Sequence, residues 1–284
     1  DAVATGPDGL LVGRVHEDGL TIDRIGQSGR SEATWTVPDE QDLYILAAGL
    51  DGGAVAGLTR GRVLLLRGGG DVEVLDDEHP DADQIEALAV ASTTGLIVAG
   101  AMGDPLVRAW SWETGRRAQA WALRASVSDL VVNDVGTIIL AGSIDGVLHR
   151  LGPSGEQWAA PVGGDHMRIA LSAQGDRAVV TTSRGEAVAM DVDSGEVLWR
   201  APGLDFQAAL RPAFSENGQR VAVPGRSNGV WVLDTATGTR IARLGGSGQR
   251  LAGMLYEGDA AVWAASSDGT VERWMAPDGG GSWG

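Results

Sequence analysis

IALSAQGDRAVVTTSRGEAVAMDVDSGEVLW, residues 169–199, is the stretch from which the architecture reads outward. A short apolar run, Ile169 to Ser172, leads to a turn at Gly175 and then to a second run, Arg177 to Thr182. A turn at Arg184-Gly185 precedes Ala187 to Asp191, and a turn at Ser194-Gly195 precedes Glu196 to Trp199. Runs of four to six residues bounded by glycine turns, with no sustained 3.6-residue period, point to four short strands joined by tight hairpins.

The same grammar recurs along the chain. Turns equivalent to Gly175 lie at Gly9, Gly53, Gly95, Gly136, Gly218 and Gly258, a spacing of roughly 40 residues that is the period of four-stranded propeller blades. The second turn recurs as Asp18-Gly19, Arg60-Gly61, Asp145-Gly146, Asn228-Gly229 and Asp268-Gly269. Two-residue hairpins favour these pairs because the turn needs positive φ. Ser28-Gly29, Thr114-Gly115, Ser154-Gly155 and Thr237-Gly238 repeat the third turn. The 43 glycines are therefore mostly turn punctuation. First strands are rich in small residues, as in Ala2-Val3-Ala4, Ala47-Ala48 and Ala87 to Val90, which suits crowded innermost strands. Ten tryptophans against two each of Phe and Tyr, most at repeat positions, indicate aromatic packing between blades. The expected fold is all-β, a seven-bladed propeller of four-stranded antiparallel blades with almost no helix.

Ala265-Ser266-Ser267-Asp268-Gly269-Thr270-Val271-Glu272-Arg273-Trp274, and Pro212 to Gly218 running through to Asp234, resemble WD-repeat blades. That resemblance implies that Asp18, Asp145 and Asp268 take part in a hydrogen-bond network stiffening their blades. Ala189 to Trp199 is similar to the tryptophan-docking motif of quinoprotein-type propellers, which locks one blade to the next. Gly-His and Trp-Asp dipeptides, frequent in WD repeats, are absent; Trp112-Glu113 and His166 come nearest.

Blades are expected at about 1–41, 42–83, 84–126, 127–165, 166–205, 206–248 and 249–284, forming one domain in which each blade packs on its neighbours. The last runs out after its third strand, so its outer strand is expected to be short, absent or supplied from upstream of residue 1. With 38 acidic residues, 22 basic ones that are all arginine, and a formal charge of −16, nucleic acid and anionic membrane surfaces are disfavoured partners and a basic partner or a cation is favoured. Lack of lysine and an excess of Asp over Glu fit either a high-salt proteome or GC-rich codon bias. Without cysteine there is neither a disulfide framework nor a thiolate site. No run of 18 apolar residues is present, so no insertion into a membrane by a helix is expected.

Asp71 to Asp83 is the one charge-dense stretch, with Asp76, Asp77, Glu78 and Asp81 clustered around His79 and Pro80. Val72 to Leu75 reads as an outer strand, and the residues after Leu75 as the connection into the third blade. Such a cluster suits a hard cation or a basic partner, yet it lacks calcium-loop spacing and is most simply a solvated loop. Catalytic signals are thin. His16, His79, His149 and His166 fall in different repeats without metal-ligand spacing, no G-x-S-x-G elbow occurs, and neither glycine triplet is followed by G-K-[ST]. No catalytic residue, metal ligand or cofactor is assigned.

Three function classes are compatible with these signals. The favoured one is a non-catalytic interaction scaffold presenting a rim of loops: Asp18, Arg60, Asp104, Asp145, Arg184, Asn228 and Asp268 from second turns, with Asp76, Asp77, Glu78 and Asp81. A propeller enzyme, quinoprotein dehydrogenase or lactonase-like, would need a cation at the channel mouth. For that purpose the inner strands offer few ligands: Asn133, Asp134, Glu257 and Glu86. The third class is a structural domain of a larger membrane-linked or cell-surface assembly.

Overall fold

The computed structural model describes residues 2–6, 9–40, 42–76, 82–204, 210–225, 229–245 and 250–276. These form seven antiparallel sheets, with no helix among the described residues. The first holds β1 (Ala2–Gly6), β2 (Gly9–His16), β3 (Gly19–Ile25) and β4 (Ser31–Pro38), and the second β5 (Ile45–Ala48), β6 (Ala54–Gly57), β7 (Val63–Leu66) and β8 (Val72–Asp76). The third holds β9 (Ile85–Val90), β10 (Leu96–Ala101), β11 (Leu106–Ser111) and β12 (Arg117–Ala122). The fourth consists of β13 (Val127–Val132), β14 (Ile139–Ser143), β15 (Val147–Gly152) and β16 (Gly155–Pro161). The fifth consists of β17 (Met167–Leu171), β18 (Arg177–Thr182), β19 (Glu186–Asp191) and β20 (Val197–Ala201). Sheet six has β21 (Ala213–Phe214), β22 (Arg220–Pro224), β23 (Val230–Asp234) and β24 (Arg240–Leu244); sheet seven has β25 (Leu251–Glu257), β26 (Ala261–Ser266) and β27 (Val271–Met275). In each sheet the strands succeed one another in chain order, as a meander of hairpins does. Six sheets have four strands and the seventh has three among the described residues.

Burial explains the sequence pattern strand by strand. The middle strands are covered on both faces, so β6 (AVAG) and β7 (VLLL) read as unbroken apolar runs. Outer strands are covered on one face only and alternate, as in the exposure pattern of β12, where Trp121 alone is buried. Turn chemistry answers the demand for positive φ: Gly195 sits at +73°, and Arg60 and Gly61 at +52° and +69°. The last two are the paired left-handed residues of a type I′ hairpin.

Alternate residues of one strand feed two different cores. Ala54, Ala56, Leu64 and Leu66 pack with Leu11, Leu20, Ile22 and Trp35 of the first sheet. Val55, Val63 and Leu65 point the other way and pack with Ile85, Leu88, Ile97 and Trp110 of the third. Sheets five and six share a core around Val179, Trp199, Val221 and Leu233, and sheets six and seven one around Val232, Leu251 and Val262. These sheets thus bury a face on the next sheet in sequence, which is how a repeat architecture without a single central core is stabilised.

The chain divides into two compact units, one of residues 1–143 with 151–156 and one of residues 144–150 with 157–284. Within each, polar seams repeat the packing at turn level. In the first unit the Ser92 hydroxyl donates to Asp134 at 2.8 Å. In the second, Gln174 Nε2 donates to the Glu216 carbonyl at 3.2 Å and the Asn217 N–H to the Asp259 carboxylate at 2.9 Å. All three bonds join residues 42 apart in sequence, so equivalent turns of successive sheets bond to each other.

Candidate functional site

Two kinds of position stand out at residue level: indoles that tie sheet to sheet, and charged turns between second and third strands. The indole N–H of Trp35 donates to the Arg67 carbonyl at 2.7 Å and that of Trp121 to the Gly152 carbonyl at 2.9 Å. Trp158 bonds to the Val192 carbonyl at 2.9 Å and Trp199 to the Thr235 carbonyl at 2.7 Å. Where the chain beneath the ring is glycine, the ring lies flat on it. A Cβ built at Gly195 would come 2.8 Å from the Trp158 ring, and one at Gly238 2.7 Å from the Trp199 ring. In the sequence the docking motif was legible only in residues 189–199. Four sheets carry the bond, because its acceptor is a main-chain carbonyl and leaves no mark on residue identity. Trp112 is held differently, in a cradle of Gly49, Gly53 and Gly95, with the Arg67 guanidinium 5.8 Å from its ring centre.

The expected rim residues occupy the predicted turns. Asp18, Arg60, Asp104, Asp145, Arg184 and Asp268 all lie between the second and third strands of their sheets. Asp18, Arg60, Asp145, Arg184 and Asp268 are exposed. Asp104 is different: it is buried and forms an ion pair with Arg108, which is 2% exposed, while accepting the Leu106 N–H at 3.0 Å. It holds the start of β11 and presents nothing to a partner. Asp268 caps its own turn by accepting the Thr270 N–H at 3.0 Å. Asp77, Glu78, Asp81 and Asn228 lie outside the described residues, as does His79, and of Asp76 only the backbone, at the end of β8, is described.

In the first unit these turns join the strand-to-sheet connections in one continuous run. The Asp39 N–H donates to the Asp18 carbonyl at 3.3 Å, the Thr59 hydroxyl donates to Asp42 at 2.8 Å, and Thr59 bridges Gln84. Beyond it the Asp83 N–H donates to the Met102 carbonyl at 2.8 Å. Asp18, Asp39, Asp42 and Asp83 are exposed along this run, beside Tyr44 at 50% exposure. Glu40, by contrast, is buried in an ion pair with Arg62. Asp39, Asp42 and Tyr44 were missed in the sequence because they sit in a connection rather than in a repeat turn. Of the 38 acidic residues, 23 belong to the first unit with 10 arginines, against 15 and 12 in the second.

Three of the four residues considered as inner-strand ligands, Asn133, Asp134 and Glu257, make framework contacts. Asn133 accepts the N–H groups of Thr137 and Ile138 at 2.8 and 2.9 Å, closing the turn after β13, and Asp134 accepts from Ser92. Glu257 accepts from the Trp263 indole at 2.7 Å and from Arg273 at 2.9 Å; these two hydrogen bonds, the indole's first, hold its carboxyl below the usual range. Hydrogen bonds from the Ser194 N–H and hydroxyl likewise lower Asp191. Burial pushes the Tyr256 phenol upward. His149 is buried in β15. Among the described residues no three His, Asp or Glu side chains group as metal ligands. A cleft of about 380 Å³ in the second unit is lined by Gln174, Asp176, Arg177, Asn217, Gln219 and Asp234. Several of these side chains already cap turns: Asp176 accepts from Ser172, and Asp234 from Thr237. No model of a known protein family matches this chain, and no curated protein matches it either.

Proposed function

We propose that the seven sheets are the blades of a β-propeller serving as a non-catalytic protein-binding scaffold, and that the acidic turn surface of the first unit docks a basic partner. One observation carries the reading: Asp18, Asp39, Asp42 and Asp83 stand exposed along one continuous run of bonded turns, with an exposed tyrosine among them. Carboxylates held along one rim repel one another, and an approaching cationic side chain relieves that repulsion, so such a rim favours arginine- or lysine-rich surfaces and accelerates their encounter. Tyr44 supplies the kind of aromatic anchor that concentrates binding energy. The framework beneath is stiff for the purpose. The half-buried pair Glu40–Arg62 and the buried pair Asp104–Arg108 fix the turns from below.

The test is affinity capture on the intact protein followed by titration of the captured partner. Binding should be lost progressively between low and high salt. The variant with Asp18, Asp39, Asp42 and Asp83 all changed to Asn should bind about fourfold or more weakly, since each rim charge contributes about 0.2–1 kcal/mol. A partner held with equal affinity by this variant would overturn the reading.

A further inference from the structure

Strand β27 is a third strand that looks like an outer one. Third strands elsewhere are covered: all four residues of β7 are buried, as are the central four of β11 and of β19. In β27 Val271 is 59% and Met275 43% exposed, with the exposed Arg273 between them on the same face. Its outer edge, which no described strand pairs, can be oriented from the bonds at both ends. The Ser266 N–H donates to the Thr270 carbonyl at 2.8 Å and the Ala276 N–H to the Ala260 carbonyl at 2.7 Å. Residues 270 and 276 therefore turn their main-chain groups toward β26, as do the alternating residues 272 and 274 between them. Val271, Arg273 and Met275 turn theirs away.

We infer that this edge is an interaction surface that takes an extended segment of a partner polypeptide as a fourth strand. An unpaired, partly apolar edge is the template for strand addition, in which main-chain bonds supply affinity and alternate side chains supply selectivity. Every other described strand is already paired inside its own sheet, so the described chain has none to spare. Arg273 bonds Glu257 through Nε and Nη2; pairing β27 with β27 of a second copy, antiparallel about Arg273, would bring no further counter-charge to it, whereas an acidic side chain on a partner strand would. The occupant has five to eight residues, the length of the six fourth strands seen here. It carries apolar side chains opposite Val271 and Met275 and an acidic one opposite Arg273. This surface is separate from the acidic rim, and the inference does not depend on the rim's function.

The probe is the peptide acetyl-Thr-Val-Thr-Glu-Thr-Val-Thr-amide, read by amide exchange on the whole 284-residue protein. Adding it should slow exchange at Val271, Arg273 and Met275 together. Replacing its Glu by Lys should weaken the effect about tenfold, the loss of one favourable cross-strand contact and its conversion to repulsion. Val271→Pro removes an outward N–H without touching the bonds to β26, and should weaken it by a similar factor with an unchanged melting curve. No protection at millimolar peptide overturns the inference. So does protection of the three amides in the peptide-free protein, which means the chain covers its own edge, or protection that rises with protein concentration alone, which means a second copy does.

Discussion

Replacing Trp199 by Phe tests whether the sheets are held to one another by their indoles. Trp199 is 9% exposed, donates to the Thr235 carbonyl at 2.7 Å and rests on Gly238. Phenyl in place of indole removes roughly 40 Å² of buried apolar surface, about 1 kcal/mol. It also leaves the carbonyl without its donor, about another 1–1.5 kcal/mol. The sum, about 2–2.5 kcal/mol, should lower the melting temperature by roughly 4 °C in a chain of this size. Trp263→Phe is the comparison, because Trp263 is only partly buried and donates to the exposed carboxylate of Glu257; its cost should stay below about 1 kcal/mol. Gly238→Ala completes a cycle. Gly238 lies at φ +71°, so alanine is strained there in any background, by about 1 kcal/mol. With Trp199 present the new methyl also meets the ring, and the cost should at least double; with Trp199→Ala it should fall back to the strain alone. Urea titration or calorimetry of the wild type, the four single variants and the Gly238→Ala/Trp199→Ala double variant measures this. Equal destabilisation by Trp199→Phe and Trp263→Phe, or additivity of Gly238→Ala with Trp199→Ala, would refute the argument.

Three further outcomes are expected. Asp104→Asn removes the charge of one partner from a buried ion pair with Arg108 and should cost about 3 kcal/mol, whereas Asp104→Leu with Arg108→Met should recover part of that loss in chemical denaturation. Asp23 is held below the usual carboxylate range, first by the Thr34 hydroxyl at 2.6 Å and then by Arg14 and Ser31. Its contribution is therefore complete above about pH 4 and is lost as the pH falls through the lowered value, so Asp23→Asn should flatten the acid side of the stability profile and leave its slope near neutrality unchanged. Gly53→Ala puts a methyl 2.8 Å from the Trp112 ring and 2.4 Å from the Leu66 carbonyl, and near-ultraviolet circular dichroism should show a loosened tryptophan together with a loss of about 2 kcal/mol.

The repeat was legible because its causes are local. Positive φ selects Asp-Gly, Ser-Gly and Thr-Gly at hairpin turns, and four-residue apolar runs such as VLLL in β7 reflect burial on both faces; all seven groups of strands fall where the turns place them. The exposed second turns were legible for the same reason, with one exception. Asp104 carries the same signal as Asp18, yet a buried arginine four residues later claims it, and such pairing depends on which way β11 faces. Residue order alone was enough for short antiparallel strands at a period of about 40 residues, for glycine and aspartate at their ends, and for a net negative charge. Three features emerge only once the chain is folded: which carbonyl each indole binds, which carboxylates line up along the turns of the first unit, and the edge of β27 that no described strand pairs. Those are contacts between residues 17 or more positions apart, or between main-chain atoms common to every residue, and neither kind is written in the identity of a single side chain.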